Sequence, residues 1–114
     1  MSDFFATVNQ LAASHYVVVD RPKGTRHPRF TDAEYPIDYG YLEGTTGGDG
    51  SGIDVFHGTA ALRGVVAVVA TVDLQKRDGE LKLLLDCTDE EIDSVLTFLR
   101  EDLKLAATLL RRAA

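Results

Sequence analysis

Apolar positions follow several rhythms along the chain, and each rhythm predicts an element. Phe4, Phe5, Val8, Leu11 and Ala12 fall near one face of a helix over Ser2 to Ala13, with Ser2 as its cap. Tyr16 to Asp20 is a short β-branched run and predicts a strand. Arg21 to Phe30 holds two prolines and a glycine, which predicts a loop or a ragged hairpin end. Ile37 to Glu43 alternates as a strand does. Gly44 to Gly52 has five glycines in nine residues and predicts a loop, and Ile53 to His57 resumes as strand. The densest β signal is Gly64 to Leu74, with Val65, Val66, Val68, Val69 and Val72. Lys76 to Gly79 reads as a turn, with Asp78-Gly79 favouring a hairpin, and Glu80 to Asp86 returns as the partner strand. Thr88-Asp89-Glu90-Glu91 is a capping box opening a helix to about Glu101, with Ile92, Val95, Leu96 and Leu99 on its apolar face. Leu105 to Arg111 fits either continued helix or a last strand; strand from Ala106 is preferred.

Neither a repeat nor a linker divides this order, and 114 residues suit a single domain over residues 1–114. Antiparallel β with flanking helices predicts an α+β fold, mainly β, with a small closed or partly open barrel as the expected architecture.

Composition narrows the function classes. The chain is 45% hydrophobic, enough for a packed core. Its longest apolar run, Val65 to Ala70, is too short to cross a bilayer, and the start lacks the basic-then-apolar pattern of a secretory signal. Cys87 is the only cysteine, so no internal disulfide forms; a reducing cytoplasm is the expected compartment, and a small buried residue is its expected role. The net charge of −6 argues against nucleic acid and anionic membrane as partners. Basic residues still cluster: Arg21, Lys23, Arg26, His27 and Arg29 lie close together, as do Lys76, Arg77 and Lys82. An acidic chain with local basic clusters suits a small anion better than a polymer.

The candidate chemistry sits between Tyr35 and Lys82. Asp49 and Asp54 are five apart across a glycine-rich turn. Such carboxylates suit a hard divalent cation, though the same residues also shape ordinary turns. The run lacks the repeated acidic positions of an EF-hand. Tyr35, Tyr39 and Tyr41 share a strand parity, so they form either a core face or phenol donors lining an anion site, while Asp38 points the other way. Glu80 and Lys82 also share a parity, which fits a metal and a phosphate held side by side, or a surface ion pair. The chain has no P-loop, nucleophile elbow or HxxxH spacing.

The stretch YPIDYGYLEGTTGGDGSGIDV resembles the active-site segment of the soluble family I inorganic pyrophosphatases. In that family a tyrosine-proline, two intervening residues and Tyr-Gly-Tyr lead through a short loop to a D-G-D-x-x-D-V-like run. The resemblance spans about Val17 to Lys82, is specific from Tyr35 to Val55, and fades beyond Thr88. It implies an OB-like β-barrel with flanking helices, Mg²⁺ as cofactor and hydrolysis of pyrophosphate to two phosphates. By position it implies Asp49, Asp54 and Glu80 as metal ligands, with Asp49, Asp54 and Tyr39 in the catalytic set. Lys82, Tyr39 and one of Arg26 or Arg29 would contact phosphate. A homo-oligomer is the default expectation for so small an enzyme.

The chain departs from the family pattern at Ser51, where the family places an aspartate that helps activate the attacking water. The family's early lysine and glutamate fall near Tyr16 and Val18. Its acidic ligand before the hairpin falls at about Gln75, with Asp73 and Asp78 as substitutes. These departures define the alternative: a weak or inactive module that binds a phosphorylated metabolite or a protein partner.

Overall fold

A computed structural model describes residues 3–48 and 50–113. Helix α1 (Phe4–Ala13) leads to strands β1 (Val17–Arg21), β2 (Asp38–Leu42), β3 (Ile53–His57), β4 (Val65–Asp73) and β5 (Asp78–Leu85), then helix α2 (Asp89–Thr97), a π-helical turn over Phe98–Asp102 and strand β6 (Ala106–Arg111). The strands form one sheet in the order β1-β2-β3-β5-β4-β6. Only β3 and β5 run parallel; the other neighbours are antiparallel. The α+β expectation stands. The sheet is open, with β1 and β6 at its edges, so the closed form of the expected barrel is not adopted.

Strand alternation sends neighbouring residues to opposite faces. On one face Leu42, Val55, Val65, Val68 and Leu83 pack with Val8 and Ala12 of α1. On the other, Phe56, Ala67, Val69 and Leu84 pack with Ile92, Val95, Phe98 and Leu99, and with Tyr35 and Ile37 from the segment before β2. The sheet is thus a middle layer between two helices. Cys87 is buried in the second cluster, and burial pushes its thiol up to about 12, which suits an inert core residue.

Several boundaries differ from the sequence expectation. Ser2, the expected cap of α1, lies outside the described residues; the Asp3 carboxylate accepts from the Phe5 and Ala6 amides instead. Asp78-Gly79 is not the hairpin turn. Asp73 and Asp78 face each other as the last strand pair, and Arg77 takes the left-handed conformation (φ 56°). The Asp73 carboxylate accepts from the Gln75 and Lys76 amides, which starts the turn earlier than the Asp-Gly pair suggests. After Thr97 the α2 pattern widens to a π turn, closed by the Leu103 amide on the Phe98 carbonyl. Lys104 then adopts a left-handed φ of 59° and the chain enters β6 from Ala106, as preferred.

The capping box of α2 forms as expected. Thr88 Oγ1 accepts from the Glu91 amide at 3.1 Å, and Glu91 Oε1 accepts from the Thr88 amide at 2.9 Å. Glu91 also accepts from the Thr59 amide and hydroxyl, so it ties the loop after β3 to the helix. Partial burial alone would raise its carboxyl, but bonds from Thr88 and Thr59 outweigh this and lower it. A lowered carboxylate supplies stability above its unfolded value, which is lost as pH falls through the folded one. Glu91→Ala should cost about 1–2 kcal/mol at pH 7 in urea unfolding, with the gap to the parent closing below about pH 4. An equal gap at pH 7 and pH 3 would count against this role.

Candidate active site

The parallel pairing of β3 with β5 creates the site. Asp54 of β3 stands in register with Lys82 of β5, and Tyr41 of β2 with Asp54. These positions share the face that carries Phe56 and Val69. Glu80, two residues before Lys82, projects on the same side by strand parity. Three elements remote in sequence therefore meet over one strip of sheet.

Lys82 is the centre of that strip. Only 5% of it is exposed. Its Nζ donates to Asp54 Oδ2 at 3.1 Å, Glu80 Oε1 at 3.0 Å and the Tyr39 hydroxyl at 3.3 Å. Burial works against the ammonium, but attraction to Tyr39, Asp54 and Glu80 outweighs it, so Lys82 is held more firmly charged than usual. Asp54 moves the other way. Burial raises its carboxyl, and the Lys82 charge, shared among three partners, offsets this only in part. Burial also raises the Tyr39 phenol well above its usual range, so it stays a neutral hydroxyl.

The strip floors a cavity of about 630 Å³. Tyr39 and Tyr41 of β2 line it together as their strand parity predicts, and Tyr35 joins them from the segment before the strand. Tyr35 and Tyr39 stack at 5.2 Å between ring centres, and Tyr39 packs on Phe56 at 4.7 Å, which fixes the hydroxyl beside Lys82. Asp38 is absent from this wall and accepts from the Lys23 amide.

The predicted site residues divide into four groups. Asp54, Glu80, Lys82 and Tyr39 are brought together. Arg29 lines the cavity, with its guanidinium over the Phe30 ring at 5.9 Å. Arg26 does not line it: it bonds the Thr31 carbonyl and pairs with Glu34 at 3.4 Å. Asp49 lies outside the described residues. Ser51 is exposed on the cavity wall.

The cavity also holds residues that the sequence reading left out of the site. Arg21, on edge strand β1, donates to the Tyr35 hydroxyl at 3.1 Å. Asp20 and Lys76 add further charge to the wall, as do Asp73 and Asp78, the expected substitutes for the acidic ligand before the hairpin. His27, near Arg21, Lys76 and Arg29, is lowered first by burial and then by these cations. Arg21, His27 and Lys76 were visible as members of the basic clusters. Nothing in the sequence placed Phe98, Leu99, Leu103 and Leu105 here, because their wall depends on the π turn.

Among the described residues, no three of His, Cys, Asp and Glu converge to hold a metal ion. Asp54 and Glu80 converge on an ammonium instead. Each gives one oxygen to Lys82, and the Asp54 carboxylate also engages the Tyr39 hydroxyl. Magnesium is usually held by one or two carboxylates plus waters and substrate phosphates rather than by a protein cage. The donor set fits a magnesium ion that enters with a phosphate ligand.

Two solved structures are similar in fold. An inorganic phosphatase from Anaplasma phagocytophilum superposes with a TM-score of 0.58 at 16% identity, covering 83% of this chain and 81% of that one. An inorganic pyrophosphatase from Coxiella burnetii gives 0.59 at 14% identity, covering 83% and 82%. No protein-family model and no curated protein matches the chain. The likeness is one of architecture: the chain is built on a pyrophosphatase-like fold.

Proposed function

We propose that the chain hydrolyses pyrophosphate to two phosphates with Mg²⁺, in the cavity floored by Lys82. The observation that carries this reading is the buried Lys82 ammonium, shared by Asp54, Glu80 and Tyr39 beneath a wall of mixed charge. Lys82, Arg21, Arg29 and Lys76 meet phosphate oxygens, and the Tyr39 phenol, kept neutral, donates to one of them. Glu80 would hold the metal through its second oxygen, with Asp49 joining on sequence grounds alone; bound there, Mg²⁺ neutralises phosphate charge.

Asp54 has a different role. Ser51 stands where a carboxylate would activate water, and a serine hydroxyl is a poor base at neutral pH. Asp54 is the carboxylate that burial has made more basic, and one of its oxygens is already fixed by Lys82. Its other oxygen takes the proton as water attacks phosphorus. The bridging P–O bond breaks, and the leaving phosphate keeps the electron pair beside the cations.

Asp54→Asn should lower Mg²⁺-dependent phosphate release from pyrophosphate by at least about 100-fold, with the melting temperature checked in parallel. Equal rates in parent and variant, or no release from either, would sink the reading. A second reading has its own observation: Ser51 at the base position favours a phosphate-binding module without turnover. Calorimetry showing phosphate or pyrophosphate binding, with no release by the parent, would select it.

A further inference from the structure

The cavity is built in two chemically distinct halves. Its formal charges come from β1, the Arg21 to Phe30 loop, β3 and the β4–β5 hairpin. The segment from the π turn to the start of β6 contributes Phe98, Leu99, Leu103 and Leu105 and no polar residue. The polar residues of that same segment, Arg100, Glu101, Asp102 and Lys104, are exposed and lie outside the wall. Leu103 and Leu105 are half-buried, and Phe30, also on the wall, is 39% exposed. Leu103 and Leu105 thus present apolar surface to the cavity, backed by the buried Phe98 and Leu99, while the charges of their segment are turned away from it.

A bare pyrophosphate is charged over its whole surface and has nothing to place against such a wall. The volume of about 630 Å³ also falls among cavities that enclose drug-sized organic ligands, which are far larger than two phosphates. We propose that the preferred ligand is an organic diphosphate, an anhydride whose inner phosphate carries an apolar or flat organic body. Its diphosphate lies against Lys82 and Arg21. Its organic body lies between Phe30 and the Leu103–Leu105 wall.

The inference rests on the hydrolase reading for where the phosphates sit. In turnover, the water oxygen bonds to the terminal phosphorus and the bridging P–O bond breaks. The bridging oxygen leaves with the electron pair on the organic monophosphate, and the water proton passes to Asp54 and then to solvent. The products are an organic monophosphate and inorganic phosphate.

Binding tests the inference independently of turnover. Calorimetry with Mg²⁺ would compare methylenediphosphonate, the α,β-methylene analogue of adenosine diphosphate, and a methylene-bridged geranyl diphosphate analogue. At least one organic ligand should bind about tenfold or more tightly than the bare diphosphonate, because burying a modest apolar surface is enough for that factor. A stronger adenosine arm assigns a flat body stacked at Phe30; a stronger geranyl arm assigns an aliphatic body on Leu103 and Leu105. Phe30→Ala should reduce binding of the adenosine ligand more than that of the bare diphosphonate, and Leu103→Ala should do the same for the geranyl ligand. If both organic ligands bind no more tightly than the diphosphonate, or none binds, the inference is overturned. Pyrophosphate hydrolysis by the parent would still uphold the hydrolase reading in that case, so the two failures are separable.

Discussion

Replacing Lys82 with methionine should be among the most damaging single changes in the chain. The methionine keeps much of the side-chain volume but leaves Asp54 and Glu80 facing each other without their common cation. Their side chains are only 17% and 22% exposed, so water cannot substitute freely. Removing one partner of a buried ion pair typically costs about 3–5 kcal/mol, because the remaining charge stays desolvated. For a domain of this size that lowers the melting temperature by roughly 10 to 20 °C. The pH dependence gives the test its sign. Asp54 is already raised by burial, and loss of the ammonium removes the charge that opposes this and raises it further. A raised carboxyl gives stability that is present at low pH and lost as pH climbs through its folded value. In chelator, the gap between Lys82→Met and the parent should therefore be large at pH 8 and smaller at pH 5. A loss below about 1 kcal/mol, equal at both pH values, would mean that the cluster is a solvated surface pair.

This outcome also separates what the sequence disclosed from what it concealed. Glu80 and Lys82 lie two apart on a strand, so their shared face was readable. Asp54 was readable as a candidate through its turn. That Asp54 meets Lys82 was not, because it depends on β3 running parallel beside β5, a pairing between segments with all of β4 between them. Whether the barrel closes was undecided for a similar reason: strand patterns state which residues are β, and leave unstated which edges find partners. Local signals were more faithful. The Thr88 capping box and the glycine-rich loop are short-range chemistry and appear as expected. The hairpin turn was misplaced because Asp73, four residues before the turn's Arg77, captures two amides and sets the bend first. The apolar wall was illegible, since a π turn re-aims Phe98 and Leu103 without any glycine or proline to announce it.

Gly40 explains why the Tyr-Gly-Tyr core of the motif takes a glycine at its centre. Its φ is not in the left-handed region, so backbone freedom is not the reason. The reason is space. Gly40 pairs with Val19 across the β1–β2 ladder, next to the irregularity between Val19 and Arg21. A Cβ at Gly40 would land on the Val18 carbonyl oxygen, with the carbonyl carbon at 2.8 Å and the Asp20 amide nitrogen at 3.0 Å. These are backbone atoms and cannot rotate away, so the whole edge strand must shift. Gly40→Ala should then cost about 3 kcal/mol or more in urea unfolding, at the upper end for overpacking. The damage should reach the cavity, because β1 carries Arg21 and its bond to the Tyr35 hydroxyl. Amide exchange should quicken along β1 before it does along β4 and β5, and pyrophosphate hydrolysis should weaken with it. Gly24 supplies the contrast. Its φ is +87°, but a Cβ there meets nothing within 4 Å. Gly24→Ala carries only the conformational cost of about 1 kcal/mol. If Gly40→Ala is no worse than Gly24→Ala, the close approach of β1 to β2 is softer than the geometry implies, and Arg21 is not held in place by it.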